Sequence, residues 1–491
     1  MGYLASSKVI TRTMFEDFQV KGYWWIPGKE EEVSGILFYK QDKIELELLG
    51  TLNLDDSVFA DVVNHEIILG LSDKGEQFTL LNTRVIKATT NFPGYATQSF
   101  SINAFLVGVH LKNVDESIFS SCAIVPTYLN TWLNRKVFDE DSTYKEGTYI
   151  VEEMQLSYKP PVTFNHYIPS INSSIEETGN ANFKGNFNEE IIWQQKSMLR
   201  ITPKELKDMK WLERNSFLLK DLLSLFIGQA IYLKNVFYYG EEIQSETNEK
   251  PYKPRYSFFF RQFKTKFKPN FTQLDILVPF SDIEQKFSSI IELWYEKQER
   301  LKTVTNLYFS EFYKDIYINT TFLNMVQTLE IYHRNFYDGK LFPKPTYRTY
   351  AKQVKEFANS MFPEDFAKKI SDMMAYGNEY SLNNRLVEII NSFNDSTKSI
   401  LIGNEEEVLQ FVRQLVETRN YLTHYDANKK KHLLTDNEEK FFAIQRLKII
   451  ATIILFKEIG ISEEVIVGRI IEGKKYQYSV GKAKELLNKT M

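Results

Sequence analysis

The sequence predicts an α+β protein with a β-rich N-terminal region, a mixed middle segment and a C-terminal all-α bundle. Three observations lead there. Short runs with apolar residues at every second position dominate the first part of the chain. Strand-like and helix-like runs alternate from about residue 189 to 302. Beyond about 303 the apolar period is helical almost throughout. At 491 residues the chain is too long for one hydrophobic core. The expected division is 1–190 (β-rich), 191–302 (a mixed α/β continuation) and 303–491 (helical).

Val33 to Tyr39 is a strand, the turn Gln41-Asp42-Lys43 follows, and Ile44 to Leu48 alternates apolar with charged residues as a half-buried strand does. Further strands are expected at Phe78–Leu81, Ser99–His110 and Tyr149–Tyr158. Asn, Gly, Ser and Pro cluster between about 160 and 187, which reads as a long loop. Pro203 to Phe226 reads as helical and Ala230 to Tyr239 as a strand. Ser281 to Leu301 reads as a helix, with Ile283, Phe287, Ile290, Ile291 and Trp294 on one face. Helices are expected at about 307–337 (with a break inside it), 346–360, 363–375, 380–393, 404–424 and 435–458. Gly339, Pro343, Pro345, Pro363 and Gly403 act as stops.

Composition narrows the classes. A net charge of −4 excludes a surface that grips nucleic acid everywhere, so any RNA affinity must be local. The single cysteine, Cys122, excludes an intramolecular disulfide and a thiolate zinc cluster, and it suits a reducing cytoplasm. The apolar run Ile449–Phe456 is too short to span a bilayer, and the N-terminus lacks the apolar core of a signal peptide, so no membrane is expected. Met1 to Ser6 matches the loose myristoylation pattern, read as coincidence. No phosphate-cradling glycine loop occurs, and His65, His110 and His166 lie at no metal-ligand spacing; neither cofactor nor metal is expected.

The chemistry-bearing stretch is Glu417-Thr418-Arg419-Asn420-Tyr421-Leu422-Thr423-His424. The helix from Glu405 carries an apolar stripe at Val408, Val412, Leu415 and Leu422, and Arg419 occupies the stripe position between the last two. A guanidinium there needs a carboxylate partner or an anion. The bland partner is Glu330, on a helix able to run alongside. The functional partner is a phosphate, whose oxygens fit the planar fork of arginine. Five residues on an ideal helix turn through about 140°, so Arg419 and His424 converge only at a helix end or across two copies. Lys429, Lys430 and Lys431 follow, able to steer phosphate or simply to be solvated. Between Lys250 and Leu274 there are seven basic residues and no acidic one, interleaved with aromatic rings. That pattern suits single-stranded nucleic acid, but an edge strand with guarding lysines at Phe263–Lys268 is the favoured reading.

Arg419-Asn420-Tyr421-Leu422-Thr423-His424 resembles the R-polar-x-x-x-H signature of HEPN ribonuclease domains. Thr328-Leu329-Glu330 with His333-Arg334, and Asn378-Glu379-Tyr380 through Arg385, resemble the Apea-like HEPN group. Gly22 to Pro27 and Val33 to Leu37 resemble the ApeA N-terminal domain that accompanies it. The resemblance implies a dimerising helical bundle in which each protomer gives its Arg419 and His424, supported by Asn420, to a composite cleft. It also implies metal-independent cleavage of RNA, tRNA among the candidates, through the 2′-hydroxyl to a 2′,3′-cyclic phosphate. The implied role is abortive infection against phage, with the N-terminal region sensing a phage-encoded trigger or restraining the toxic activity. Two other readings stand beside it. One is a non-catalytic HEPN dimerisation or interaction protein. The other is a carbohydrate- or peptide-binding β domain with a helical oligomerisation tail, which the Trp24-Trp25 pair weakly suits, although core packing is the commoner fate of such rings.

Overall fold

A computed structural model describes residues 12–52, 64–89, 93–186, 188–244, 251–425, 431–473 and 481–485. The chain forms two compact units, 1–288 and 289–491.

The first unit is built on a sheet of fourteen described strands, every neighbouring pair antiparallel. Its strands are β1 (Phe18–Trp25), β2 (Val33–Lys40), β3 (Lys43–Leu48), β4 (Ile67–Ser72), β5 (Gln77–Leu81), β6 (Arg84–Thr89), β7 (Thr97–Ser101) and β8 (Ala104–Val107). After the two-residue β9 (Ile118–Phe119) come β10 (Ser121–Pro126) and a separate hairpin, β11 (Phe138–Tyr144) with β12 (Val151–Tyr158). The sheet resumes with β13 (Asn165–Ile168), β14 (Ser173–Asn186) and β15 (Glu190–Pro203). The short β16 (Lys207–Asp208) pairs with β9, and β17 (Leu233–Tyr239) and β18 (Arg255–Phe260) finish the set. Across the sheet the order is β13-β14-β15-β10-β17-β18-β8-β5-β4-β1-β2-β3-β7-β6.

Aromatic rings fill the core, as the composition requires. Phe105 stacks on Phe259 at 4.9 Å, and Phe18, Tyr39 and Phe78 close around them. Trp24 is fully buried, its ring lying flat where a side chain on Gly70 would sit, so the glycine opposite it in the β1–β4 register is obligatory. Trp25 packs edge-on against His110, whose Nε2 meets the Gly70 carbonyl at 2.9 Å. His65 tilts on Phe100 and His166 stacks on Phe164. Three of the histidines therefore serve packing. Two short helices, α1 (Leu129–Leu133) and α3 (Phe280–Ile283), and the long α2 (Met209–Ile227) cover the sheet. Cys122 accepts a hydrogen bond from Ser216 of α2 at 3.3 Å, and burial pushes its thiol pKa up to about 12, which makes it inert.

Four expectations are overturned here. The Asn/Gly/Ser-rich 160–187 stretch is not a loop: β14 pairs with β15 along its whole length, from Ser173↔Pro203 to Asn186↔Glu190. Main-chain bonds to a neighbour hold it, not side-chain propensity. Ser99–His110 is two strands separated at Ile102-Asn103. The helix expected from Pro203 begins only at Met209, where Asp208 caps the Trp211 amide at 2.8 Å. Phe263–Lys268 forms no edge strand; the paired segment is β18, inside the sheet, and Lys264 instead covers the Phe15 ring at 3.6 Å.

Among the described residues, the regular structure of the second unit is helical apart from an isolated bridge. Most of α4 (Phe287–Glu296) belongs to it, followed by α5 (Gln298–Tyr313), α6 (Ile318–Phe336), α7 (Lys344–Met361), α8 (Glu364–Tyr376), α9 (Leu382–Asn391), α10 (Asp395–Leu401), α11 (Glu405–His424), α12 (Asn437–Glu458) and α13 (Glu463–Glu472). The expected break in 307–337 falls at residues 314–317. The expected 281–301 helix is instead three pieces, and α10 and α13 were not anticipated. α12 buries residues around its whole circumference, so the Ile449–Phe456 run is core. No described helix is long and apolar enough to cross a membrane.

Candidate functional site

The site is organised by α11. Its start is written in the sequence: Asn404 Oδ1 accepts from the Glu407 amide at 3.0 Å while Glu407 Oε2 accepts from the Asn404 amide at 2.7 Å. This reciprocal cap is worth about 1 kcal/mol, and three glutamates sit in the first turn where the helix dipole favours them. Val408, Phe411, Val412 and Leu415 are buried on the inner face. The helix ends at His424 because Tyr425 turns left-handed (φ 54°) and returns its amide to the Tyr421 carbonyl at 2.7 Å.

Arg419 lies half-buried on the stripe, facing α6. Its Nη2 is 3.8 Å from Glu330 Oε2, and its Nη1 donates to Asn420 Oδ1 at 3.2 Å. Glu330 is already committed elsewhere, since Arg334 Nη2 holds its Oε1 at 3.0 Å. The bland ion pair therefore exists, but it is long and shared. It orients the guanidinium without saturating it, and 36 % of the Arg419 side chain stays exposed. The structure thus brings Arg419, Asn420 and Glu330 together. His424 is exposed at the helix end, on another face of the same helix. Lys431 is exposed; the adjacent His432 amide donates to Glu417 Oε2 at 2.9 Å, which brings this segment back beside α11. Lys429 and Lys430 lie outside the described residues.

A second polar cluster, not anticipated as a unit, stands behind Glu330. His333 is fully buried. Its Nε2 meets Glu388 Oε2 at 2.6 Å and its Nδ1 meets Arg385 Nη1 at 2.9 Å. A guanidinium can only donate, so Nδ1 must accept and Nε2 must carry the proton; the ring is neutral. Burial and the nearby Arg385 both lower its pKa, outweighing Glu388. Arg385, itself buried, donates also to the Tyr380 carbonyl at 3.1 Å and approaches Glu379 at 3.5 Å. Glu379 holds Arg334 at 3.1 Å and Lys340 at 3.4 Å, and these contacts keep its carboxyl below the usual range. An ionic chain therefore runs Glu388–His333–Arg385–Glu379–Arg334–Glu330–Arg419. The i,i+4 spacing of Glu330 and Arg334 was a readable signal for one link. Nothing local marked Arg385 as buried.

Gly339 fits this cluster twice over. Its φ is +59°, and a β-carbon there would lie 2.7 Å from Arg385 Nη1 and 3.0 Å from His333 Cε1. Among the described residues no group of three or more His, Cys, Asp or Glu is placed to hold a metal ion.

A large antiparallel sheet followed by a helical unit, one of whose long helices ends in Arg-x4-His, makes this a two-part protein. Residues 19–294 match the family model of ApeA N-terminal domain 1, and residues 323–465 match that of Apea-like HEPN. The first match covers more than half of the chain, so the chain belongs to the ApeA N-terminal domain 1 family; together the two domains are the make-up of an ApeA-type anti-phage defence protein. No curated protein and no solved structure matches the chain.

Proposed function

We propose that the helical unit is an endoribonuclease that cleaves RNA through its own 2′-hydroxyl, in the cytoplasm, as an abortive response to phage. The observation that carries this reading is Arg419: a guanidinium on an apolar stripe, steered by Glu330 and Asn420 yet left partly open, five residues before an exposed terminal histidine. An open, oriented guanidinium is suited to a phosphodiester anion and to the more highly charged phosphorane formed from it, and such charge stabilisation is usually among the largest catalytic contributions.

The chemistry follows from the substrate. RNA carries its nucleophile on the ribose, so the reaction requires a base for the 2′-OH, an acid for the departing 5′-oxygen and a cation for the charge between them. An imidazole titrates near neutrality and serves as either acid or base. His424 takes the proton role and Arg419 the electrostatic one. Because one helix sets them about 140° apart, the Arg419 of one protomer and the His424 of a second face the same linkage in a homodimer, where two histidines divide the acid and base roles. Lys431, with Lys429 and Lys430, draws the backbone in. The product is a 2′,3′-cyclic phosphate, with tRNA one substrate of suitable size. The N-terminal unit restrains the activity until a phage-encoded trigger appears.

The test compares Arg419→Ala and His424→Ala with wild type in growth, phage protection and RNA integrity. Both variants are expected to lose protection and leave RNA intact. Retained protection and unchanged RNA patterns in both would overturn the nuclease reading and leave a HEPN dimerisation or interaction protein. Cleavage by the wild type that persists in EDTA checks the metal-free route.

A further inference from the structure

The helices α7 and α8 form an antiparallel hairpin unlike the rest of their unit. Of their described residues, α7 fully encloses Ala358 alone and α8 Ala367 alone. The two helices hold each other through Tyr347, whose hydroxyl donates to the Met374 carbonyl at 2.7 Å, and through the edge-to-face rings Phe357, Phe362 and Phe366. The hairpin leaves the bundle through a closed neck. Leu341 donates to the Asn378 carbonyl and Tyr380 to that of Gly339, both at 2.9 Å, while the Asn378 amide group bonds both the N–H and the C=O of Phe342 at 2.9 Å. The neck fixes the hairpin's direction, so its exposed surface is a shaped one.

That surface is apolar. Tyr350, Val354, Phe357 and Met361 on α7 and Phe366 and Met373 on α8 are all exposed, from 42 % for Val354 to 64 % for Met361. On α7 the apolar residues Tyr347, Tyr350, Val354, Phe357 and Met361 follow at intervals of three, four, three and four, and Phe366, Ile370 and Met373 continue the rhythm on α8. A mean spacing of 3.5 is the seam of helices packed on helices, not the broader stripe of a helix on a sheet. The helical positions beside the α7 seam, Thr346, Gln353 and Ser360, carry no charge, whereas Lys352 and Glu356 pair with each other on the opposite side. A buried side chain of this size covers about 150–250 Å². At roughly half exposure the face offers on the order of 700 Å², close to the roughly 800 Å² that each partner gives to a stable interface.

We propose that this hairpin is the contact between two copies of the chain, with α7–α8 of one protomer laid on α7–α8 of the other in a two-fold, four-helix arrangement. A second copy supplies what the seam asks for: two more helices with the same 3.5 spacing, the flank of α7 uncharged, on a self-complementary face. The proposal rests on the preceding reading only in expecting a second copy; it is independent of any RNA chemistry.

The experiment uses the full chain and measures mass by light scattering across a concentration series. Wild type is expected to run as a dimer. The exposed-site double variant Val354→Glu with Met361→Glu should dissociate at least on the order of 100-fold more readily, while Lys352→Gln on the opposite face should not. Oxidation of Val354→Cys should cross-link two copies, and Lys352→Cys should not. A monomeric wild type, or a dimer indifferent to the double variant, overturns the proposal. So does a monomer that floats with phosphatidylcholine–phosphatidylglycerol vesicles, which would assign the face to lipid. RNA cleavage is read separately: a hairpin dimer with Arg419-independent RNA patterns would sink the nuclease reading alone.

Discussion

The helical unit holds two arginine–histidine pairs, and they are built in opposite ways. Arg385 and His333 touch at 2.9 Å, are both buried, and have their remaining donors and acceptors met by Glu388, Glu379 and the Tyr380 carbonyl. Arg419 and His424 belong to one helix but to different faces of it, with the arginine loosely steered and the imidazole in solvent. In the closed pair each ring and guanidinium nitrogen already has a partner, so a ligand would gain little by entering. The open pair has capacity left for a substrate. Residue type is the same in both; burial and partner number separate the structural pair from the candidate reactive one.

The largest expected effect tests the open pair. Replacing Arg419 or His424 with alanine should lower the RNA cleavage rate by about 10²–10⁴-fold, with the thermal midpoint moved by little, because both side chains retain solvent. Parallel rate and melting measurements check this, and a large loss of stability in either variant would erase the distinction between the pairs.

The closed pair should behave in reverse. His333→Ala leaves one face of the buried Arg385 guanidinium without its acceptor, a change expected to cost about 1–3 kcal/mol and to appear as a lowered midpoint in calorimetry. A cost near zero would show that the cluster is not a structural knot.

A third arginine sharpens the contrast. Arg446 of α12 is buried over the Phe411 ring, its Nε and Nη2 find no hydrogen-bond partner among the described residues, and desolvation lowers its pKa to about 10 despite Glu407. Arg446→Met should stabilise the chain by about 1–4 kcal/mol, since a well-packed apolar isostere often outperforms a poorly compensated buried charge. Chemical denaturation measures it.

The smallest effect is a pH dependence. The folded state holds His333 neutral with its pKa lowered, so the unfolded chain takes up a proton first as pH falls below about 6.5. Stability from this group is complete above that value and declines as pH drops towards the folded pKa, by no more than about 1.4 kcal/mol per pH unit. Denaturation midpoints between pH 7.5 and 5.5 should fall for wild type and fall less steeply in His333→Gln, the remaining slope coming from His65 and His166, whose pKa values burial also lowers.

What was legible in the sequence depended on how local its cause was. The helix at Glu405–His424 announced itself through the Asn404–Glu407 cap and its apolar period, both contained within a few residues. Arg419 stood out because it broke that period, and Glu330 was nameable because it sits on a neighbouring amphipathic helix. The fourteen-residue pairing of β14 with β15 was invisible, because its Asn- and Gly-rich text is held by a partner strand. The burial of Arg385 was equally hidden. It depends on His333, fifty-two residues away, and on the space that Gly339 leaves. The hairpin seam was legible as helix but not as surface, since a period fixes which residues share a face and not what covers it.

The closed neck has a practical consequence. Lys340 and Glu379 are bridge partners, and bridged α-carbons lie only about 5 Å apart. Everything between them enters and leaves at one point, so the α7–α8 segment is an excisable cassette. A two-residue turn joining Lys340 to Glu379 would remove the hairpin face and leave the ladder of charges from Glu379 to Arg419 in place, so one deletion asks whether the composite site needs that face.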